Sequence, residues 1–264
     1  MDSSKDHWAN HWANHWADLS ADYSISLKAF ACHLNAMTIT ILTAGALKEG
    51  VACAADKFMA AGGGTVAASF THGSDIRDGI LAGAMEAHIL GLPTAMMDAL
   101  AAKGLLANHA RLSVGSIRVG VAIKSGDAAP DLTSLAALKA AMAAASRLIY
   151  TTAPSGEYMA GVIEDLGLTD ALAAKTMRFG TGGQVNDHLA GPAPTGALAF
   201  GVSTEITFYR DKGVVLAGYL PPEIESSTPY QIARHAAAPP LADEFFDYLG
   251  GDQARALFAA SGVE

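Results

Sequence analysis

The chain has 264 residues, 51% of them hydrophobic, enough to bury a substantial core in one large domain or two lobes. Seventeen Lys and Arg against 26 Asp and Glu give a net charge of −9, with no basic patch and only 7% aromatic residues, which argues against a nucleic-acid partner. Two cysteines, Cys32 and Cys53, without a CxxC or a Cys/His quartet, argue against a disulfide framework or structural zinc.

The N-terminus opens with "HWANHWANHWA", which would align His7, His11 and His15 on one helical stripe able to chelate nickel or zinc. An affinity tag or a translated tandem repeat explains the same pattern, and no carboxylate or cysteine cluster accompanies it. Residues 1–36 are therefore read as a tag or non-core extension and the folded unit as 37–264, with Met37 an alternative start. No basic segment followed by an apolar stretch marks a secretory leader, so the chain as written reads as cytoplasmic, or periplasmic if a leader has been removed. No apolar run reaches the roughly 18 to 20 residues that span a bilayer, so no membrane insertion is expected.

From Ile39 onward strand and helix patterns alternate, the signature of an α/β fold with mostly parallel strands. "TITIL" (38–42) is a β-branched run, and Val51, Ala54, Ala55, Phe58 and Met59 then repeat at helical spacing up to "GGG" at 62–64. Cys53 falls in that helix and reads as a small core residue. "TVAASF" (65–70) is the next strand, Ile76 and Ile80 mark a helix, "HILGLP" (88–93) is a third strand, and "TAMMDALAAKGLL" is helical. "SIRVGVAIKSG" (116–126) predicts a longer strand, ending in a loop, "GDAAPD", suited to passage between lobes.

Beyond it come the helix "LTSLAALKAAMAAA", the strand "RLIYT", and a helix with Met159, Val162, Ile163 and Leu166 in register. "GALAFGV" (196–202) and "GVVLAGYL" (213–220) are strands. Leu241, Phe245, Tyr248 and Leu249 line one closing helix, Gly250 and Gly251 break it, and Ala254, Leu257 and Phe258 line the last.

Four loops lead into helix starts through small or polar residues: "TAGAL" (43–47), "THGSD" (71–75), "APSGEY" (153–158) and "GTGGQV" (180–185). Converging helix N-termini offer unpaired N–H groups and partial positive charge, an anion site that needs no lysine or arginine. "GTGGQV" departs from GxGxxG at Val185, and no Walker A, HExxH or GxSxG occurs, so neither a metal site nor a cofactor is expected in the folded unit.

The order of elements, with "TITILTAGALKEGV", "ASFTHGSDIRDGILAGA", "PTAMMDALAAKGLL", "VGVAIKSGDAAPDLTSLAALKAA" and "FFDYLGGDQARALFAASGV", resembles the type II periplasmic solute-binding proteins, in particular the molybdate/tungstate-binding component of ABC importers. The resemblance implies two α/β lobes joined by two crossing strands, 37–118 with 229–264 and 119–228, with ligand in the hinged cleft between them. Its ligand contacts map onto the first loop at Ala44, Gly45 and Ala46, onto Ser74, Ser155 and Gly156, and onto the amides of Gly183, Gln184 and Val185, and His72, Gly73, Tyr158 and Ser203 beside them are further ligand-binding candidates. It also shows departures: Ala46 where a serine hydroxyl is usual, His72 and Gly73 inserted before Ser74, Val202 in place of a tyrosine just before Ser203 and Glu205, and His88 where an aspartate is usual.

His72 has three readings: a loop histidine bonded to a carbonyl, a donor to a carboxylate or phosphate-like anion, or a general acid/base. Glu157 and Glu205 are the carboxylates that could partner it, and each also fits a solvated carboxylate. Tyr158 either covers the cleft or contacts ligand, and Ser74 and Ser155 either cap helices or bind ligand. The chain thus reads as a monomeric small-anion-binding protein for an oxyanion or small carboxylate, working with an ABC permease if exported. The alternatives are a cytosolic isomerase or lyase with His72 as base, and a sensor that signals through lobe closure.

Overall fold

The computed structural model describes residues 38–264; the HWAN repeat, Cys32 and Met37 lie outside the described residues. The strands are β1 (Thr38–Ala44), β2 (Thr65–Thr71), β3 (Ile89–Pro93), β4 (Leu106–Lys124), β5 (Arg147–Thr151), β6 (Thr176–Phe179), β7 (Ala197–Val202), β8 (Val214–Tyr219) and β9 (Ser227–His235). The helices are α1 (Lys48–Ala60), α2 (Gly73–Leu81), α3 (Thr94–Ala101), α4 (Leu135–Ala144), α5 (Pro154–Asp165), α6 (Thr169–Ala173), α7 (Gly182–Ala190), α8 (Ser203–Phe208), α9 (Leu241–Leu249) and α10 (Asp252–Ala260). This is the α/β fold that the sequence pattern predicted, in the two-lobe form that the resemblance implied.

The strands run in the order β2-β1-β3-β9-β4-β7-β5-β6, with β8 also on β4. β1 pairs in parallel with β2 and β3, and β5 with β6 and β7, whereas β9 and β4 introduce antiparallel pairs throughout the middle. The expectation of mostly parallel strands is corrected here. The parallel βαβ units occupy the two outer regions, and the strands that join them run against their neighbours.

Alternation along each strand feeds two cores per lobe. Ile39 and Ile41 of β1 face α1, α9 and α10, while Ala44 faces the helices α2 and α3. Leu198 and Phe200 of β7 pack with α4 and α5, while Ala197 and Ala199 pack with α7 and α8. Strands buried on both faces read as nearly continuous apolar runs, which is why "ALAFGV" is recognisable in isolation. Cys53 is corrected: it lies exposed on the outer side of α1, because the buried stripe of that helix is completed by Val51, Ala54, Ala55 and Phe58.

The chain changes lobes inside a strand. β4 pairs with β9 as far as Arg118 and with β7 and β8 from Val119 onward, and Val119 N–H donates to Ser226 O at 2.9 Å at the changeover. The "GDAAPD" loop is therefore not the crossing. It follows β4, where Asp127 accepts from Gly196 N–H at 2.9 Å and Asp131 accepts from Thr133 N–H at 2.9 Å. Arg118 anchors the crossing point, 3.2 Å from Glu225, 3.1 Å from Glu264, and stacked 4.1 Å from the ring centre of Tyr219.

His88 ties β1 to the start of β3. Its Nδ1 accepts from Thr40 N–H at 3.2 Å, and its own N–H donates to Thr40 Oγ1 at 3.0 Å. Burial, with His235 nearby, lowers its pKa below the usual histidine value. Protonation would also cost the Nδ1 lone pair that Thr40 uses. Because the folded pKa lies below the unfolded one, the unfolded chain takes up the proton more readily. Stability from this site is full above the unfolded pKa and is lost progressively as pH falls from there through the lower folded pKa. The melting temperature should therefore drop between about pH 7.5 and about pH 5.5. His88→Asn, which keeps an acceptor without titrating, should drop less; equal drops in thermal melts of both proteins would refute this role.

Candidate functional site

A cleft of about 810 Å³ opens between the lobes, backed by Ile117, Val119, Ser226, Thr228 and Tyr230 of the crossing segments. The first lobe contributes Ala44, Gly45, Ala46, Lys48, Glu49 and the stretch Phe70–Gly73. The second contributes Thr151, Ala153–Ser155, Tyr158, Gly180–Gly183, Val202, Thr204, Glu205, Phe208 and Tyr209. All four loops singled out in the sequence therefore meet at one place. Each parallel strand delivers its loop at its C-terminal end, so the βα connections of both lobes face one another.

Three of the four helix entries lack a side-chain cap. The turn Gly45–Leu47 ahead of α1, the start of α2 at His72 and the start of α5 at Ala153 have no capping hydrogen bond from their N-cap residue. Their first N–H groups are thus left without that local partner, and an anion can take them. The fourth entry differs. Thr181 and Gln184 form a reciprocal capping box at α7, with Gln184 N–H donating to Thr181 Oγ1 at 3.2 Å and Thr181 N–H to Gln184 Oε1 at 3.1 Å.

The individual residues divide accordingly. Ala44, Gly45, Ala46, His72, Gly73, Ser155, Tyr158 and Gly183 line the cleft. Ser74 and Ser155 are not N-caps: each stands at the second position of its helix, one residue after Gly73 and Pro154 respectively. Ser74 is exposed and outside the cleft lining. Gln184 is engaged in the capping box, Val185 is buried in the core of the second lobe, and Gly156 is buried against Thr151. Ser203 is also placed elsewhere, fully buried, its hydroxyl donating to Gly262 O at 2.6 Å.

His72 is itself the N-cap residue of α2, with extended backbone, an exposed side chain and no capping bond. Its imidazole is thereby left facing the cleft. Glu157 is not its partner: the carboxylate is exposed and takes a hydrogen bond from Arg178 Nη2 at 2.5 Å. Arg178 also donates to Thr151 O at 3.2 Å, bracing the floor of the second-lobe wall. Tyr158 covers one side, its hydroxyl donating to Ile224 O at 2.8 Å and tying α5 to the returning crossing segment.

Glu205, on α8, is the cleft carboxylate near enough to His72 to feel its charge, although no hydrogen bond or ion pair joins the two. Burial raises its pKa and the His72 charge lowers it again, burial being the larger effect. Burial, with Glu205 adding to it, pushes the Tyr230 hydroxyl up to about 12, so this phenol stays protonated. Thr204, Tyr209, Tyr230, Lys48 and Glu49 were not anticipated as cleft residues. Tyr230 lies on β9, which carries no strand signature in the sequence, and Thr204 and Tyr209 lie on or just after a six-residue helix too short to show a period. Among the described residues no cluster of His, Cys, Asp or Glu is arranged to hold a metal ion, and no helix is long and apolar enough to cross a membrane.

Three solved structures share this architecture. The substrate-binding domain assigned to a molybdenum ABC transporter of Clostridium difficile superposes with a TM-score of 0.68 at 14% identity, covering 86% of this chain and 98% of that one. The periplasmic molybdate-binding protein of Azotobacter vinelandii gives 0.63 at 18% identity, covering 86% and 98%. The sulfate-binding protein of Mycobacterium tuberculosis gives 0.61 at 15% identity, covering 86% of each. At these identities the likeness establishes the fold. No curated protein matches the sequence. The family match is to "bacterial extracellular solute-binding protein" and spans residues 39–264, both lobes and the cleft between them, so this chain belongs to the bacterial extracellular solute-binding proteins.

Proposed function

We propose that this protein captures a small anion, an oxyanion or a small carboxylate, by closing its two lobes over the cleft. The observation that carries the reading is the convergence of three helix entries without side-chain caps on one interlobe cleft. Backbone N–H groups of Gly45, Ala46, Gly73 and Ser155 would bind the anion, with His72 as a side-chain donor from the first lobe. Closure excludes water and strengthens each of these bonds. In this reading lobe 1 is 37–118 with 229–264 and lobe 2 is 119–228. The crossing segments at Arg118–Val119 and Ser226–Pro229 serve as the hinge.

The molybdate- and sulfate-binding proteins of the same fold support an oxyanion. The family description supports action outside the cytoplasm, where the protein would hand its ligand to an ABC permease. The isomerase or lyase alternative draws no support from the family or from these structures.

The test is a thermal-shift screen of the full chain against molybdate, tungstate, sulfate, phosphate and small carboxylates. At roughly a hundredfold excess over its dissociation constant, a ligand adds about 2.7 kcal/mol of stability. A clear upward shift with one or a few anions is expected. A flat response across the whole panel would remove the anion reading.

A further inference from the structure

The cleft wall holds polar groups for which no described residue provides a hydrogen bond: the carboxylate of Glu205, the hydroxyl of Thr204 and one oxygen of Glu49. Glu205 is partly buried, and among the described residues no group donates to its side-chain carboxylate. The carboxylate lies over Gly182, the first residue of α7, so closely that a Cβ there would collide with it. Next to it, Thr204 is 4% exposed, lines the cleft, and its hydroxyl has no hydrogen-bond partner among the described residues. On the opposite wall Glu49 uses one oxygen to accept from Arg210 at 2.5 Å, while its Oε2 is buried and has no partner among the described residues.

Leaving buried polar atoms unpaired costs on the order of 1–3 kcal/mol each, more for a charged group, so a protein seldom keeps several in one place without a use. A carboxylate at the mouth of α7 also opposes a fully ionised oxyanion. That repulsion is unfavourable for a ligand with acceptors only. It turns favourable when the ligand brings a proton to share, because a hydrogen bond to a charged acceptor is stronger than a neutral one.

We infer that Glu205 is a specificity-determining residue that accepts a hydrogen bond from the ligand, so the ligand is an anion carrying its own donor. The chemical class is the P–OH of hydrogen phosphate or a phosphonate, or the hydroxyl of a small hydroxy acid, in preference to sulfate, molybdate or an unsubstituted carboxylate. The anionic end faces the uncapped helix entries and His72, and the donor faces Glu205. This rests on the anion-binding reading above and narrows it.

Matched pairs test it by calorimetry on the full chain near neutral pH: phosphate against sulfate, and glycolate against acetate. Wild type should bind the donor-bearing member of at least one pair tenfold or more tightly than its partner. In Glu205→Gln, whose amide can donate to an acceptor-only ligand, that ratio should fall to threefold or less as sulfate or acetate binding improves. The melting temperature of the ligand-free variant reports whether it is folded, and the wild-type ratios stand without it. If in neither pair the donor-bearing member binds wild type more tightly than its partner, or if molybdate binds more tightly than both phosphate and glycolate, the inference is wrong while the anion reading stands. An unchanged ratio in folded Glu205→Gln also overturns it. If neither pair nor molybdate binds wild type at all, the anion reading fails and this inference falls with it.

Discussion

Gly156→Ala should destabilise the protein by about 3 kcal/mol, the upper end of what forced overpacking costs. Gly156 is buried in the first turn of α5, and a Cβ placed on it would run into the carbonyl and the hydroxyl of Thr151 at the end of β5. The obstruction is backbone, held in turn by β5 pairing and by the Arg178 side chain, so it has little room to yield. To accept the methyl group, α5 must lift away from β5, carrying Ser155 and the uncapped N–H groups out of the cleft. Urea denaturation should show a lower midpoint with an unchanged slope. Anion binding should weaken at least tenfold in the fraction that remains folded. A variant within about 0.5 kcal/mol of wild type would mean that α5 does not approach β5 this closely.

The second large effect is expected at the C-terminal pair of helices. Phe245 on α9 is fully buried, its ring centre 5.0 Å from that of Phe58 on α1 and 6.3 Å from that of Tyr248. Phe245→Ala removes a ring from the centre of the first-lobe core and leaves a void between two helices far apart in sequence, a change that costs about 4 kcal/mol. Phe245→Leu, which fills most of that volume, should recover more than half of the loss. The measurement is again the urea midpoint. Near-wild-type stability of Phe245→Ala would mean that α9 is not part of this core, contrary to its packing on α1 and β1.

The legibility of the fold follows from where each element finds its stability. β1, β7, α1 and the two closing helices carry their apolar residues at the period of the element, because each presents at least one face to a core. β9 does not. "STPYQIARH" contains a proline and mostly polar residues, and it is a strand because β3 and β4 supply hydrogen-bond partners on both sides. The first half of β4 is similar: Leu106 to Gly115 is held by β9, with register shifts around the positive-φ Gly115, where the chain end at Glu264 lies too close for any side chain. Pairing of this kind leaves little trace in a single sequence.

The site shows the same division. Small residues ahead of helix starts identified the four loops, because close approach of backbone to an anion and the opening of a helix both select glycine, serine and threonine. They could not say which entries were already capped. That depends on side-chain direction, as at Thr181 and Gln184, and on helix starts lying at Gly73 and Pro154 rather than at the serines that follow.

By itself, then, the sequence determined the α/β alternation, most of the core and the loops from which the cleft is built, since these depend on local periodicity and on residue size. Tertiary structure alone decided that β9 is a strand between β3 and β4, that Glu157 pairs with Arg178 while Glu205 lines the cleft with His72, and that Glu205 covers the start of α7. Each of these depends on residues distant in sequence meeting across the cleft or the sheet. No local pattern encodes such a meeting, because it is set by how whole elements pack.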